Sequence, residues 1–327
     1  DLLGADTDFS AAIVKNPVFT TAYIYRALTR TRMGNYDDAL QDFREAIDLR
    51  PDLPDAYYSR GYTRLQNKQY EEAIEDFDKF IFQENKVADA YIGRGTAYLY
   101  LKDTVRALEN FDQAIRTNRE NPNGYYQRGT LLLQKEEYAR AEADFDMSIR
   151  CDSAFLPPYF NRAVVYSNTN RPMQALADFD RVLQLDSTNS FTYFNRAILR
   201  TQIGDYNRAL DDFDRVALYS PGNVQVYYLR AMLKTRLGDL EGAERDYTRA
   251  IELYPDFANA YLNRSALRYA LHNPKAAKRD EEIAQRKIAE YKSHLKDSTY
   301  SIYADTTQRM DLSLIHISEP TRQEAIS

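Results

Sequence analysis

Tyr159-Phe160-Asn161-Arg162-Ala163 is followed, 34 residues later, by Tyr193-Phe194-Asn195-Arg196-Ala197. The interval is not confined to this pair. Tyr occupies 23, 57, 91, 125, 159, 193, 227 and 261; Arg occupies 26, 60, 94, 128, 162, 196, 230 and 264; Ala occupies 39, 73, 107, 141, 175, 209, 243 and 277. Three residue types held at one spacing, with no insertion between units, are the mark of a repeat architecture.

Each unit reads as two helices. Tyr57, Gly61 and Arg64 lie on one face at helical spacing, and so do Ala73, Phe77 and Phe80. A short turn such as Met33-Gly34-Asn35-Tyr36 or Ile203-Gly204-Asp205-Tyr206 separates the two. Apart from Pro320, every proline falls between units or at the start of a helix, where a missing N–H costs nothing.

Composition narrows the function. The 327 residues include 43 Lys and Arg against 49 Asp and Glu, a net charge of −6, which argues against a nucleic-acid binder with its basic face. Apolar residues make up 44%, enough for a core and too many for a disordered chain. No apolar run approaches the ~20 residues of a membrane helix. The single cysteine, Cys151, excludes an internal disulfide.

From Thr20 to Tyr291 these rows resemble the tetratricopeptide repeat (TPR) family: an aromatic, a small residue before the turn, an Ala early in the second helix, then an aromatic and a small residue. The resemblance implies an all-α, right-handed superhelical solenoid of antiparallel helix pairs with a concave inner surface. It also implies a protein-binding scaffold rather than a catalyst. The repeats would span 20–53, 54–87, 88–121, 122–155, 156–189, 190–223, 224–257 and 258–291.

A single hairpin cannot bury its apolar stripe, so units must stack. The small row (Ala27, Gly61, Gly95, Gly129, Ala163, Ala197, Ala231, Ser265) is expected to mark close helix approach, with the Ala39 row facing it and the Phe43 to Tyr247 row filling the space between units. Two rows depart from the family together. Arg stands where the family has Leu, and the residue before the Phe row is acidic or Asn. Counted from the turn, Arg60 and Asp76 lie at the same height. A ladder of ion pairs follows as an expectation: Arg26–Asp42, Arg60–Asp76, Arg128–Asp144, Arg162–Asp178, Arg196–Asp212, Arg230–Asp246 and Arg264–Asp280.

The ends depart from the repeat. Ala5, Asp8, Phe9, Ala12 and Pro17 fall on the same rows one period earlier, so 1–19 reads as the second helix of a preceding repeat, with the native protein extending further. Lys275 to Asp297 reads as a longer capping helix, with Glu281 where earlier units have Phe and a stripe of Ala284, Ile288, Tyr291 and Leu295. Residues 298–311 are polar. Residues 312–327 resemble a translated sequencing-library adapter and read as non-native.

No constellation points to catalysis, a cofactor or a metal. His272, His294 and His316 have no metal-ligand spacing, Cys151 has no upstream His to activate it, and no phosphate loop appears. The strings Asp76-Phe77-Asp78, Asp144-Phe145-Asp146 and Asp211-Asp212-Phe213-Asp214 lack the Gly and terminal Glu of a calcium loop. They read as the ion-pair row plus a solvated outer face.

The informative surface is the one offset from the Tyr57, Arg60 and Gly61 face. It carries Tyr58, Tyr62, Tyr126, Phe160, Phe194 and Tyr228, with Gln127, Asn161, Asn195 and Asn263 beside them. Aromatic rings anchor interfaces, and amides could grip an extended peptide backbone. The competing reading is that these rings only pack between adjacent first helices. The family's clamp for acidic chaperone tails uses Lys in the first groove row; aromatics and aliphatics stand there instead, which disfavours it. The expected function is a scaffold for a protein or peptide partner, without nucleic acid or membrane insertion. The alternatives are a self-assembly module, or the repeat region of a larger protein. Likeness to large bacterial arrays, some exported, leans towards a periplasmic setting.

Overall fold

In a computed structural model, residues 1–294 are described. The polar segment 298–311, the stretch 312–327 and the last residues of the expected capping helix lie outside them. The described residues form an all-α helical-repeat solenoid of seventeen helices. They divide into two compact units, Asp1–Val165 and a second beginning at Tyr166.

The first unit opens with α1 (Leu2–Lys15). Hairpins follow: α2 (Thr20–Arg32) with α3 (Tyr36–Leu49), α4 (Pro54–Gln66) with α5 (Tyr70–Gln83), α6 (Ala88–Tyr100) with α7 (Thr104–Thr117), and α8 (Pro122–Gln134) with α9 (Tyr138–Cys151). The unit boundary falls within α10 (Leu156–Asn168). The second unit continues with α11 (Pro172–Leu185), α12 (Ser190–Gln202), α13 (Tyr206–Tyr219), α14 (Val224–Leu237), α15 (Leu240–Leu253), α16 (Ala258–Ala270) and α17 (Pro274–His294). From α1 to α9, and again from α11 to α17, each helix packs on its chain neighbour, and in the first unit α2, α4, α6 and α8 also pack side by side.

Local chemistry sets the boundaries. Proline occupies the first turn of α4, α8 and α11. Asp103, Asn189 and Asp239 cap α7, α12 and α15 by accepting a backbone N–H with their side chains. Each hairpin turn needs one left-handed residue. Glycine supplies it at Gly34, Gly204 and Gly238, whereas Lys68, Lys102, Glu136, Asn170 and His272 adopt it without glycine's freedom, at φ of 57 to 63°. The backbone then closes as Asn35 N–H donates to Arg30 and Gln69 N–H to Arg64, satisfying carbonyls at the helix end.

The core follows the rows. Phe43, Phe77, Phe111 and Phe145 in the first unit, and Phe179, Phe213 and Tyr247 in the second, are buried, as is the Ala39 row. One packing detail differs from expectation. The group facing Gly61, Gly95 and Gly129 is not the alanine but the phenyl ring of the same hairpin. A Cβ at these glycines would stand 3.1, 2.7 and 2.9 Å from Phe77, Phe111 and Phe145. Gly93 clears the next side of Phe77, where a Cβ would come within 2.5 Å of the ring. A phenyl ring is thus held between Gly61 on α4 and Gly93 on α6, one from each of two successive repeats.

Candidate functional site

Two sets of side chains carry polar chemistry: the guanidinium–carboxylate rungs inside the hairpins and the amphipathic face of the first helices.

The rungs join helices sixteen residues apart. In the first unit Arg26 Nε and Nη2 donate to Asp42 at 2.9 and 2.6 Å, Arg60 to Asp76 at 2.9 and 2.7 Å, and Arg128 to Asp144 at 2.8 and 2.6 Å. In the second, Arg196 pairs with Asp212, Arg230 with Asp246 and Arg264 with Asp280 in the same two-pronged manner. Arg162 and Asp178 belong to different units: Arg162 donates to Asp146, and Asp178 is buried. Arg94 meets a neutral partner, Asn110, through Nε alone.

The remaining prong runs between repeats. Arg94, Arg128, Arg162 and Arg230 reach Asp78, Asp112, Asp146 and Asp214 of the preceding repeat through Nη1 at 2.5 to 2.8 Å, and Arg196 reaches Asp180 likewise. This corrects the reading of the second aspartate in each string as a merely solvated residue. Asp78 keeps about half its surface in water, yet it is the acceptor that ties one hairpin to the next. A second cation also closes on several buried carboxylates: Arg30 on Asp42, Arg64 on Asp76, Arg200 on Asp212, Lys234 on Asp246 and Arg268 on Asp280. The row of residues 30, 64, 200, 234 and 268 is visible in the sequence as a cation four residues after the first arginine. The hydrogen bonds that Arg128 donates to Asp144 and Asp112 hold its guanidinium above its ordinary value. Arg64 falls below its own, because burial and the Arg60 charge outweigh the attraction of Asp76.

On the first-helix face of the first unit, Tyr58 packs against Phe80 and Tyr62, with ring centroids 4.8 and 5.0 Å apart. Tyr62 donates its hydroxyl to the Asp89 carbonyl of the next repeat at 2.6 Å. Burial, with the Asp89 charge, pushes the Tyr58 phenol up to about 12 and Tyr62 well above its ordinary value. Further polar stitches bind successive first helices: Thr31 to Thr63 at 2.9 Å and Asn161 Nδ2 to Thr130 at 3.0 Å. Tyr126, Gln127, Phe160 and Asn161 are half-buried, and Gln127 makes no side-chain hydrogen bond among the described residues.

The second unit differs. Phe194 and Tyr228 are 5% and 6% exposed, so they contribute packing rather than open contact surface. Asn195 is buried and its amide donates to the Phe191 carbonyl at 2.9 Å. Asn263 donates to the Tyr228 hydroxyl at 2.9 Å. The amide donors expected to meet a peptide are therefore spent inside the fold at Asn161, Asn195 and Asn263. What stands open on this face is Met232, Leu262 and Tyr269, along with Tyr25 and Tyr100 in the first unit. Alternation alone could not find them, because exposure depends on whether the next repeat carries a large or small side chain.

Elsewhere the chemistry is sparse. Burial raises the Cys151 thiol, the opposite of what a nucleophile needs. Among the described residues no group of His, Cys, Asp and Glu could hold a metal ion, and no helix is long and apolar enough to cross a membrane.

Comparison with known proteins meets this geometry. Family models of the TPR repeat match residues 27–68, and those of the tetratricopeptide repeat match 92–154 and 224–257. The chain belongs to the tetratricopeptide repeat family. Residues 160–217 within the TPR array also match the model of anaphase-promoting complex subunit 5. Among solved structures, a TPR protein from Parabacteroides merdae is 18% identical with a TM-score of 0.54, covering 81% of this chain and 98% of its own. The pilF protein of Pseudomonas aeruginosa is 21% identical with a TM-score of 0.56, covering 62% and 92%. The C-terminal part of a TPR protein from Cytophaga hutchinsonii is 17% identical with a TM-score of 0.56, covering 70% and 94%. At these identities the likeness is one of fold. No curated protein sequence matches. TPR arrays are, as a rule, interaction scaffolds rather than catalysts.

Proposed function

We propose that the first-helix face of the first unit binds a protein or peptide partner, with half-buried Tyr58, Tyr126 and Phe160 as anchors and Gln127 as the polar contact. The observation that supports this reading is that the rings of Tyr58 on α4, Tyr126 on α8 and Phe160 on α10 each keep part of their surface open, in a row broken by the buried Ile92 on α6. Rings with part of their surface free give a partner large contact area at little entropic cost. Gln127, unspent within the fold, offers both a donor and an acceptor to a peptide backbone.

A peptide library selected against the full chain tests it. Selected peptides should lose about tenfold or more in affinity for Tyr126→Ser and Gln127→Ala, a loss typical of interface anchors, and keep their affinity for the exposed Arg150→Ala. Equal affinity for all three would end the proposal.

A second reading, self-assembly, is favoured by Leu3, Val14, Val18 and Phe19, which are 68%, 81%, 68% and 44% exposed. Sedimentation of the chain and of a Val14→Lys, Val18→Lys variant separates the two: a monomer in both cases removes self-assembly.

A further inference from the structure

In the arginine row one guanidinium is left incomplete. Arg26, Arg94, Arg128, Arg162, Arg196, Arg230 and Arg264 all spend Nη1 on an oxygen of the preceding repeat. Arg60 does not. Its Nε and Nη2 hold Asp76, its plane lies over the Tyr57 ring, and Nη1 has no acceptor among the described residues. The Arg60 side chain is only 9% exposed, yet Nη1 is not among the polar atoms sealed from solvent without a partner.

The cause is one substitution in the row. The position that holds Asp78, Asp112, Asp146, Asp180 and Asp214 in later repeats holds Arg44 here. Arg44 is exposed and makes no ion pair among the described residues. The count of paired charges differs at this rung from the six others that can be counted among the described residues. At Arg26, Arg94, Arg128, Arg196, Arg230 and Arg264 the carboxylates are at least as many as the cations they face. At Arg60 two guanidiniums, its own and that of Arg64, share the single carboxylate of Asp76, and Arg44 adds a third cation at the adjoining register position. The Glu72 charge also acts on Arg64, and Arg44 is a cation that makes no ion pair among the described residues.

We propose that this rung takes its missing carboxylate from outside the chain: an aspartate or glutamate side chain of an acidic segment in a protein partner docks on Arg60 Nη1 beside Arg44. Five of the other rungs define the ligand, because Nη1 of Arg94, Arg128, Arg162, Arg196 and Arg230 donates to an aspartate oxygen, whereas Arg26 and Arg264 meet the hydroxyls of Ser10 and Thr248. A fixed guanidinium already locked at two of its three nitrogens loses little freedom on binding a third acceptor. The site lies where Arg60 of α4 meets the second helices α3 and α5, on another side of α4 from Tyr58, and does not rest on the reading of the aromatic face.

Arg44→Asp tests the assignment with a residue that the row accommodates in five other repeats. The probe is fluorescein-labelled hexaglutamate, read by anisotropy at fixed ionic strength against hexaglutamine. Hexaglutamate should bind and hexaglutamine should not. Arg44→Asp should cost about tenfold or more in affinity, the scale of one charge-assisted hydrogen bond. It should also raise the melting temperature, as the new aspartate closes on Arg60. Arg150→Asp makes the same change of net charge and should leave affinity unaltered. Unchanged binding by Arg44→Asp, an equal loss in Arg150→Asp, equal binding of hexaglutamine, or a phosphoserine peptide bound in preference to hexaglutamate would each overturn the proposal.

Discussion

Neutralising a buried aspartate should cost very different amounts at two otherwise equivalent places in the array. Asp212, with a side chain 3% exposed, accepts from Arg196 at 3.0 and 2.6 Å and from Arg200 at 2.7 Å. Arg200 Nε is already buried without a partner. In Asp212→Asn, Arg196 keeps Asp180, but Arg200 loses the one carboxylate it pairs with among the described residues. Leaving a buried charge uncompensated costs about 3–5 kcal/mol. Asp144 faces one cation, Arg128, because Leu132 stands where the second cation would be. Arg128 keeps Asp112 at 2.6 Å, and an Asn can take the remaining prong, as Asn110 does for Arg94 at 2.7 Å. Asp144→Asn should therefore cost only about 1.5 kcal/mol, the low end for a hydrogen bond to a charged group. Repeat arrays do not always unfold in one step, so native-state hydrogen exchange of the α12–α13 and α8–α9 amides is the suitable assay. The difference amounts to at least about tenfold in local opening. Equal costs, or a larger cost at Asp144, would refute the argument that the second cation sets the price of neutralisation.

Other outcomes follow from the same geometry. Gly93→Ala should lower stability by about 2 kcal/mol in urea melts: a Cβ 2.5 Å from the buried Phe77 ring costs up to about 3 kcal/mol, against a helix-propensity gain of about 1. Lys68→Gly should instead stabilise by about 0.5 kcal/mol, since relief of the left-handed backbone at φ 61° exceeds the added freedom of the unfolded chain. Tyr58 and Tyr247 are held to about 12 against an ordinary 10.0, first by burial. Their neutral forms favour the fold, so this contribution is complete below pH 10 and is lost as pH rises from about 10 to about 12. Tyrosinate absorbance should show these phenols ionising late, as should the buried Tyr62, and Tyr247→Phe should remove one of them from that late phase.

The spacing of 34 residues carried the architecture without help from coordinates, because each row repeats one local problem and one solution to it. Tyr57 and Tyr91 send their hydroxyls to the carbonyl six residues earlier, and Phe77 and Phe111 vanish into the core in the same way. The heights of Arg60 and Asp76 about the turn were equally legible, since hairpin geometry relates them by counting alone. Two features depended on neighbours that counting cannot reach. Asp78 bonds to an arginine in another hairpin, and Phe194 or Asn195 is covered or open according to the bulk of the side chains beyond it. Intra-hairpin relations are fixed by sequence because short turns leave little freedom. Relations between hairpins are fixed by how large and small side chains interlock, so only the packed structure decided which polar groups are spent within the fold and that Arg60 has a donor to spare.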